Sequence, residues 1–216
     1  MKPAFDLSVY LVTDPALGGG RALEDIVAQA IAGGATMVQL RDPDAKGRAL
    51  AETGRRLLAV TRARTIPLIV NDRVDIAFAI GADGVHLGQS DMDAIAARNL
   101  LGPDAIIGLS VANAHELEAS RNAVGAVDYL GVGPVFTTGT KTDAGDAIGL
   151  EGISWMRRAV ELPLVAIGGI KAENTAGVIA AGCDGVAVVS AIVAAPDPAA
   201  AARQLAMAVE EGRGKA

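Results

Sequence analysis

Short apolar runs recur along the chain, and each is closed by a polar cluster. Runs at 9–13, 37–41, 68–71, 84–87, 106–110, 129–133, 164–167 and 185–189 are aliphatic, often β-branched, and too short to be buried helices. They predict eight strands. Between them lie longer stretches of helical period. The segment from Leu23 to Ile31 has apolar residues at i, i+3, i+4 and i+8, and the stretch from Ala49 to Thr61 turns Arg55, Arg56 and Arg62 to water. Asp197-Pro198 before an alanine-rich run reads as an N-cap with proline at the first helical position.

Eight alternations of strand and helix predict an α/β fold, a (β/α)8 TIM barrel in which 1–216 is a single domain. A weak internal repeat favours closure. Ile80-Gly81-Ala82-Asp83-Gly84-Val85 resembles Ala181-Gly182-Cys183-Asp184-Gly185-Val186, and Ala32-Gly33-Gly34-Ala35-Thr36-Met37 is a looser copy. Each reads as a helix end, a glycine in the left-handed stop, a tight turn and a buried strand. The competing open doubly wound sheet lacks its Gly-x-Gly-x-x-Gly after the first strand. The connection 136–148, polar and without helical period, is the longest loop and is expected to cover an active site.

Composition narrows the picture. A chain 51% hydrophobic but only 3% aromatic builds its core from Val, Ile, Leu and Ala. A net charge of −6 excludes a general nucleic-acid binder, which carries a basic face. The single cysteine, Cys183, forms no intramolecular disulfide and fits a reducing compartment. The start of the chain has no apolar h-region, and no apolar run spans a bilayer, so a cytoplasmic protein without a membrane partner is expected. An apolar helix face could serve as core or as a homo-oligomer contact, so the oligomeric state stays open.

The candidate chemistry sits at the strand ends, where such barrels place their active sites. Gln39 and Arg41 are two apart on one strand and share its axial side, with Val38 and Leu40 facing the helices. An arginine there can fork two phosphate oxygens. Asn71 and Asp72 end the third run, and Asp91 follows the fourth. Two carboxylates on adjacent strand ends suit Mg²⁺ completed by phosphate and water oxygens, although either aspartate alone also reads as a helix cap. Ser110 ends the fifth run and offers a hydroxyl. Thr138, Thr140 and Lys141, on the long connection, suit a leaving diphosphate. Gly168-Gly169 and Val189-Ser190, after the seventh and eighth runs, fit a second phosphate pocket of backbone N–H groups. His86, on an apolar strand, reads as a hydrogen-bonded core residue.

These segments together resemble the thiamine phosphate synthase family, over about Tyr10 to Pro198. Tyr10-Leu11-Val12-Thr13-Asp14, Gln39-Leu40-Arg41-Asp42, Val70-Asn71-Asp72, His86-Leu87-Gly88-Gln89, Thr138-Gly139-Thr140-Lys141 and Ile167-Gly168-Gly169-Ile170 carry the likeness by order and spacing. The resemblance implies a transferase joining a hydroxymethylpyrimidine diphosphate to a thiazole phosphate, or its carboxylated form, with release of diphosphate. It implies that Gln39, Arg41, Asn71 and Lys141 hold the pyrimidine diphosphate, and that Asp72 and Asp91 bind Mg²⁺. Ser110 would lie by the pyrimidine and the leaving group. Thr138, Thr140, Gly169, Val189 and Ser190 would hold the thiazole phosphate. Arg41, Lys141 and Ser110 would be the catalytic set. The chain departs from the family at Pro43, where a lysine is usual; Lys46 is the nearest replacement. A thiazole tautomerase on the same barrel, or a thiamine-phosphate sensor, are the rival readings. The retained diphosphate residues and Thr138-Gly139-Thr140-Lys141 weigh against both.

Overall fold

Eight parallel strands close on themselves in sequence order: β1 (Val9–Val12), β2 (Met37–Leu40), β3 (Leu68–Asn71), β4 (Gly84–Leu87), β5 (Ile106–Val111), β6 (Tyr129–Val132), β7 (Leu164–Ile167) and β8 (Gly185–Val188). Closure is made by β8 against β1, with Leu11 opposite Val188. The computed structural model describes residues 2–137 and 146–215. The outer layer holds α1 (Leu23–Gly33), α2 (Gly47–Arg62), α3 (Val74–Ile80), α4 (Ala94–Leu101), α5 (Ala114–Ala119), α6 (Gly149–Ala159), α7 (Ala172–Ala180), the short α8 (Ser190–Val193) and α9 (Pro198–Arg213). Every observed strand begins where the apolar run predicts, and the two patterns differ only at the last residue. Among the described residues, no helix is long and apolar enough to cross a membrane.

The strands read as continuous apolar runs because both faces are covered, but the two faces feed different cores. Val9, Leu11, Val38, Leu40, Leu68, Val70, Val85 and Leu87 pack outward against the helices. Their neighbours Tyr10, Val12, Met37, Ile69, Ile106, Tyr129, Val165 and Ala187 fill the barrel interior. Gln39 thus points inward, between outward-facing Val38 and Leu40. Asp197 caps α9 by accepting from the Ala200 N–H at 2.9 Å, with Pro198 at the first position.

The internal repeat has a structural meaning. The residue just before each even-numbered strand accepts a hydrogen bond from a backbone N–H at the start of the preceding odd strand. Thr36 takes the Val9 N–H at 3.1 Å. Asp83 takes that of Leu68, Asp128 that of Ile107 and Asp184 that of Leu164, each at 2.8 Å. The floor of the barrel is therefore built from four strand pairs, each clamped the same way. The left-handed glycine stop holds for Gly34 and Gly81. In the third copy the helix is capped by right-handed Ala181, and Gly182 carries the positive φ one residue later.

Candidate active site

At the carboxyl ends of the strands lies one cleft of about 1490 Å³. Gln39, Arg41, Asn71, Asp72, Asp91, Ser110, Gly169, Val189 and Ser190 all line it. Residues from six strand ends, far apart in the chain, thus meet around one space. Thr138, Thr140 and Lys141 lie outside the described residues. The two roots of their connection do border the cleft, through Pro134 on one side and Asp146 to Ile148 on the other. Both roots are pinned. Phe136 donates its N–H to the Gly168 carbonyl at 3.1 Å, and Ile148 donates to the Pro134 carbonyl at 2.9 Å.

Arg41 leaves the end of β2 with its guanidinium 3.5 Å from the Asp14 carboxylate, at the end of β1. Asp14 is itself fixed by the Ala16 N–H at 3.1 Å. Thr13 clamps the Arg41 backbone, accepting from its N–H and donating to its carbonyl, each at 2.9 Å. Among the described residues Arg41 makes this one ion pair, and its side chain also lines the cleft. Asp14 and Thr13 are positioning residues that the strand-end pattern did not single out. The signal was an acidic residue following a strand that neighbours the arginine's own.

Asp72 and Asp91 are not the caps of the helices that follow them. Asp93 caps α4, accepting from the N–H groups of Ile95 and Ala96, and Arg73 occupies the cap position of α3. Asp72 instead sits in the left-handed region, at φ +59°, which a non-glycine residue seldom adopts and which clusters at functional sites. Asp91 folds back to accept the Gly88 N–H through Oδ2 at 2.7 Å, and so holds the β4–α4 turn over the cleft. Among the described residues, no group of three or more His, Cys, Asp or Glu could hold a metal ion by itself. Two exposed carboxylates on one rim do fit a hard cation that takes its other ligands from a diphosphate and water.

Gly169 has φ +64°, and a Cβ there would lie 2.7 Å from the Phe136 Cβ. Its closeness therefore seats the root of the long connection against β7. Asn174 then donates to the Gly169 carbonyl at 3.0 Å and ties this turn to α7. After β8, Ser190 opens α8, whose Ile192 and Val193 N–H groups return to the Val189 carbonyl. Ser190 and Ala191, at the start of α8, line the same cleft.

Lys46 stands at the cap position of α2, exposed and not among the cleft-lining residues. Pro43 thus has no replacement from that lysine in this arrangement.

The floor of the cleft is the largest feature missed by residue-by-residue reading. His86 donates to or accepts from Tyr129 at 3.0 Å through Nδ1, and Ser110 at 2.9 Å through Nε2. Burial pushes the His86 imidazole down to about 4, against a weaker opposing pull from Asp91, so it is neutral at pH 7. Burial likewise pushes the Tyr10 and Tyr129 hydroxyls up, which keeps them protonated. Gln89 braces the same strand end by donating to the Ser110 carbonyl at 2.7 Å. His86 is indeed a hydrogen-bonded residue of an apolar strand, as its sequence context predicts, and it also lines the cleft.

A closed parallel barrel whose strand ends gather an arginine, amides, carboxylates, a hydroxyl and a helix start around one cleft defines a barrel enzyme that handles phosphorylated small molecules. The comparisons with known proteins make this particular. The family model described as thiamine monophosphate synthase matches residues 9–192. The thiamine-phosphate synthase of Azorhizobium caulinodans is 58% identical over 213 residues, covering 99% of this chain and 100% of that one. That of Moorella thermoacetica is 51% identical with the same coverage. A solved thiamine phosphate pyrophosphorylase from Pyrococcus furiosus superposes with a TM-score of 0.86 at 40% identity, over 95% of this chain and 96% of that one. The chain belongs to the thiamine monophosphate synthase family, and with it to the transferases.

Proposed function

We propose that this protein condenses 4-amino-2-methyl-5-hydroxymethylpyrimidine diphosphate with thiazole phosphate, or its carboxylated form, to give thiamine monophosphate and diphosphate. The observation that carries this reading is the two-sided cleft. Cation and carboxylates lie at the ends of β2, β3 and β4, and backbone donors lie at the ends of β7 and β8. Its volume exceeds the roughly 300–1,000 Å³ of a single-ligand pocket and leaves room for two substrates.

The reaction asks little of the protein beyond placement and charge. The pyrimidine's amino nitrogen feeds electrons toward its methylene carbon, so the C–O bond to diphosphate can ionise before the thiazole nitrogen attacks. Arg41, held by Asp14 and Thr13, stabilises the negative charge that builds on the leaving group. Lys141 is assigned the same task from the 138–145 connection. Gln39 and Asn71 orient the pyrimidine diphosphate. Ser110 offers its hydroxyl beside the breaking bond. Gly169, Val189, Ser190, Thr138 and Thr140 hold the thiazole phosphate, so that its nitrogen stands at close range. Asp72 and Asp91 would hold Mg²⁺, which when bound supplies positive charge to the diphosphate oxygens. No side-chain nucleophile or strong general base is needed, and the neutral His86 is consistent with that economy.

The test is a coupled assay of purified protein with both substrates and Mg²⁺, scored for thiamine phosphate and diphosphate, with an EDTA control. Metal-dependent formation of both products is expected. Turnover of a thiazole phosphate alone, with no use of the pyrimidine diphosphate, would overturn the reading in favour of a tautomerase.

A further inference from the structure

Five side chains from five strands form an unbroken hydrogen-bonded line across the barrel interior. Gln39 Nε2 lies 2.9 Å from the Tyr10 hydroxyl oxygen, which is 3.0 Å from that of Tyr129. Tyr129 reaches His86 Nδ1 at 3.0 Å, and His86 Nε2 reaches Ser110 Oγ at 2.9 Å. Tyr10, Gln39 and Tyr129 are buried and His86 and Ser110 half-buried, and of the five only Tyr129 is not a lining residue of the cleft. The interior is shaped for this line. A Cβ on Gly108 would lie 2.4 Å from the Tyr129 hydroxyl, and one on Gly131 would lie 2.9 Å from His86 Cε1. Substrate contact does not account for Tyr129, which is fully buried beneath the cleft floor and is not one of its lining residues.

The line has a direction. An amide nitrogen has only protons to give, so Gln39 donates to Tyr10. The Tyr10 hydroxyl then has Tyr129 as its remaining acceptor, and the Tyr129 proton goes to His86 Nδ1. A neutral imidazole carries one proton. With Nδ1 accepting, that proton sits on Nε2 and is donated to Ser110 Oγ. Ser110 has then accepted from below, and its own proton is left to point into the cleft.

We propose that Gln39, Tyr10, Tyr129 and His86 act as positioning residues in a one-way hydrogen-bond line whose output is the orientation of the Ser110 hydroxyl, held as a donor toward an anionic oxygen of the substrate. No proton has to travel along the line; the geometry alone presents the Ser110 proton. Only the identity of that oxygen rests on the proposed synthase reaction, in which it belongs to the leaving diphosphate.

The direction is tested without substrate, by nitrogen NMR of the intact protein labelled with ¹⁵N-histidine at pH 7. The chain has two histidines, and His115→Gln removes the exposed one from the spectrum. The expected result is His86 as the Nε2–H tautomer with Nδ1 unprotonated. The Nδ1–H tautomer would mean that the line runs the other way, and would overturn the proposal whether or not the enzyme makes thiamine phosphate. The coupling is tested by kinetics. Tyr129→Phe keeps the ring and cuts the line, and is expected to lower kcat about tenfold while KM for both substrates stays within about twofold. Because Tyr129 acts through Ser110, adding Tyr129→Phe to Ser110→Ala should cost nothing further. Independent, multiplying losses in the double variant would overturn the coupling. If Tyr129→Phe does not fold, Tyr10→Phe is put through the same cycle.

Discussion

The Arg41 guanidinium at the end of β2 and the buried Asp14 carboxylate at the end of β1 stand 3.5 Å apart, and Arg41 lines the cleft. The pair is loose enough to leave Arg41 with donors for a substrate, yet it limits where the side chain can swing. Asp14→Asn keeps the shape and removes the charge. It is expected to raise KM for the pyrimidine diphosphate several-fold with a smaller effect on kcat, while Arg41→Ala costs both. Steady-state kinetics of the two variants check this. A wild-type KM in Asp14→Asn would remove Asp14 from the site.

Lys141 and the acidic pair Asp72 and Asp91 carry the charge argument. Lys141→Ala is expected to reduce kcat by about 10²-fold or more, the scale seen when one charge-stabilising group is removed from a transition state. Asp72→Asn should shift the Mg²⁺ concentration needed for half-maximal rate upward by about tenfold or more. Circular dichroism should show both variants folded. Near wild-type turnover of Lys141→Ala would sink its assignment.

The clamp under the barrel predicts stability rather than activity. Asp128 accepts the Ile107 N–H and the Arg98 guanidinium, both at 2.8 Å, and also pairs with Lys2. Replacing it by Ala leaves a buried N–H and a confined guanidinium without their partner. A loss of about 2–4 kcal/mol in urea unfolding is expected. Asp83→Ala, which among the described residues releases the Leu68 N–H, should cost about 1–2 kcal/mol.

Gly108 and Gly131 face the rings of Tyr129 and His86. A Cβ on Gly108 would lie 2.2 Å from Tyr129 Cζ, and one on Gly131 would lie 2.9 Å from His86 Cε1. Overpacking should make Gly108→Ala the more damaging change, by about 1–3 kcal/mol or more. Comparable thermal midpoints for the two variants would contradict this order.

His86 makes stability depend on pH in a stated direction. Its folded pKa is lowered from 6.5 to about 4, mainly by burial. Between these values the unfolded chain binds a proton that the folded chain refuses. The contribution is therefore fully present above pH 6.5 and is lost as pH falls toward 4, to a limit of roughly 3 kcal/mol. Urea titrations at pH 7 and pH 5 should show the loss, and His86→Gln should reduce it. Cys183 offers a simpler check. Burial pushes its thiol up to about 12, so alkylating reagents at pH 8 should modify it only on unfolding.

The sequence by itself determined the eight strands, their order and the strand ends that carry Gln39, Arg41, Asn71, Asp72, Asp91 and Ser110. It could do so because both signals are local. A buried parallel strand is a short aliphatic run, and the residues that follow it are the ones the fold exposes at its mouth. The inward direction of Gln39 was also legible, since side chains alternate along a strand whatever lies around it. The roles of Asp14, Tyr10, Tyr129 and His86 were not. A tyrosine or histidine in an apolar run looks the same whether it fills a core or bonds a neighbour. Only barrel closure brings Tyr10 within reach of Tyr129, 119 residues away, and aligns His86 between Tyr129 and Ser110. The aspartates before β4 and β8 were visible as parts of a repeat, and Asp128 before β6 was not. Their bonds to Leu68, Ile107 and Leu164 required the register between neighbouring strands, and that register is set by packing across the whole barrel.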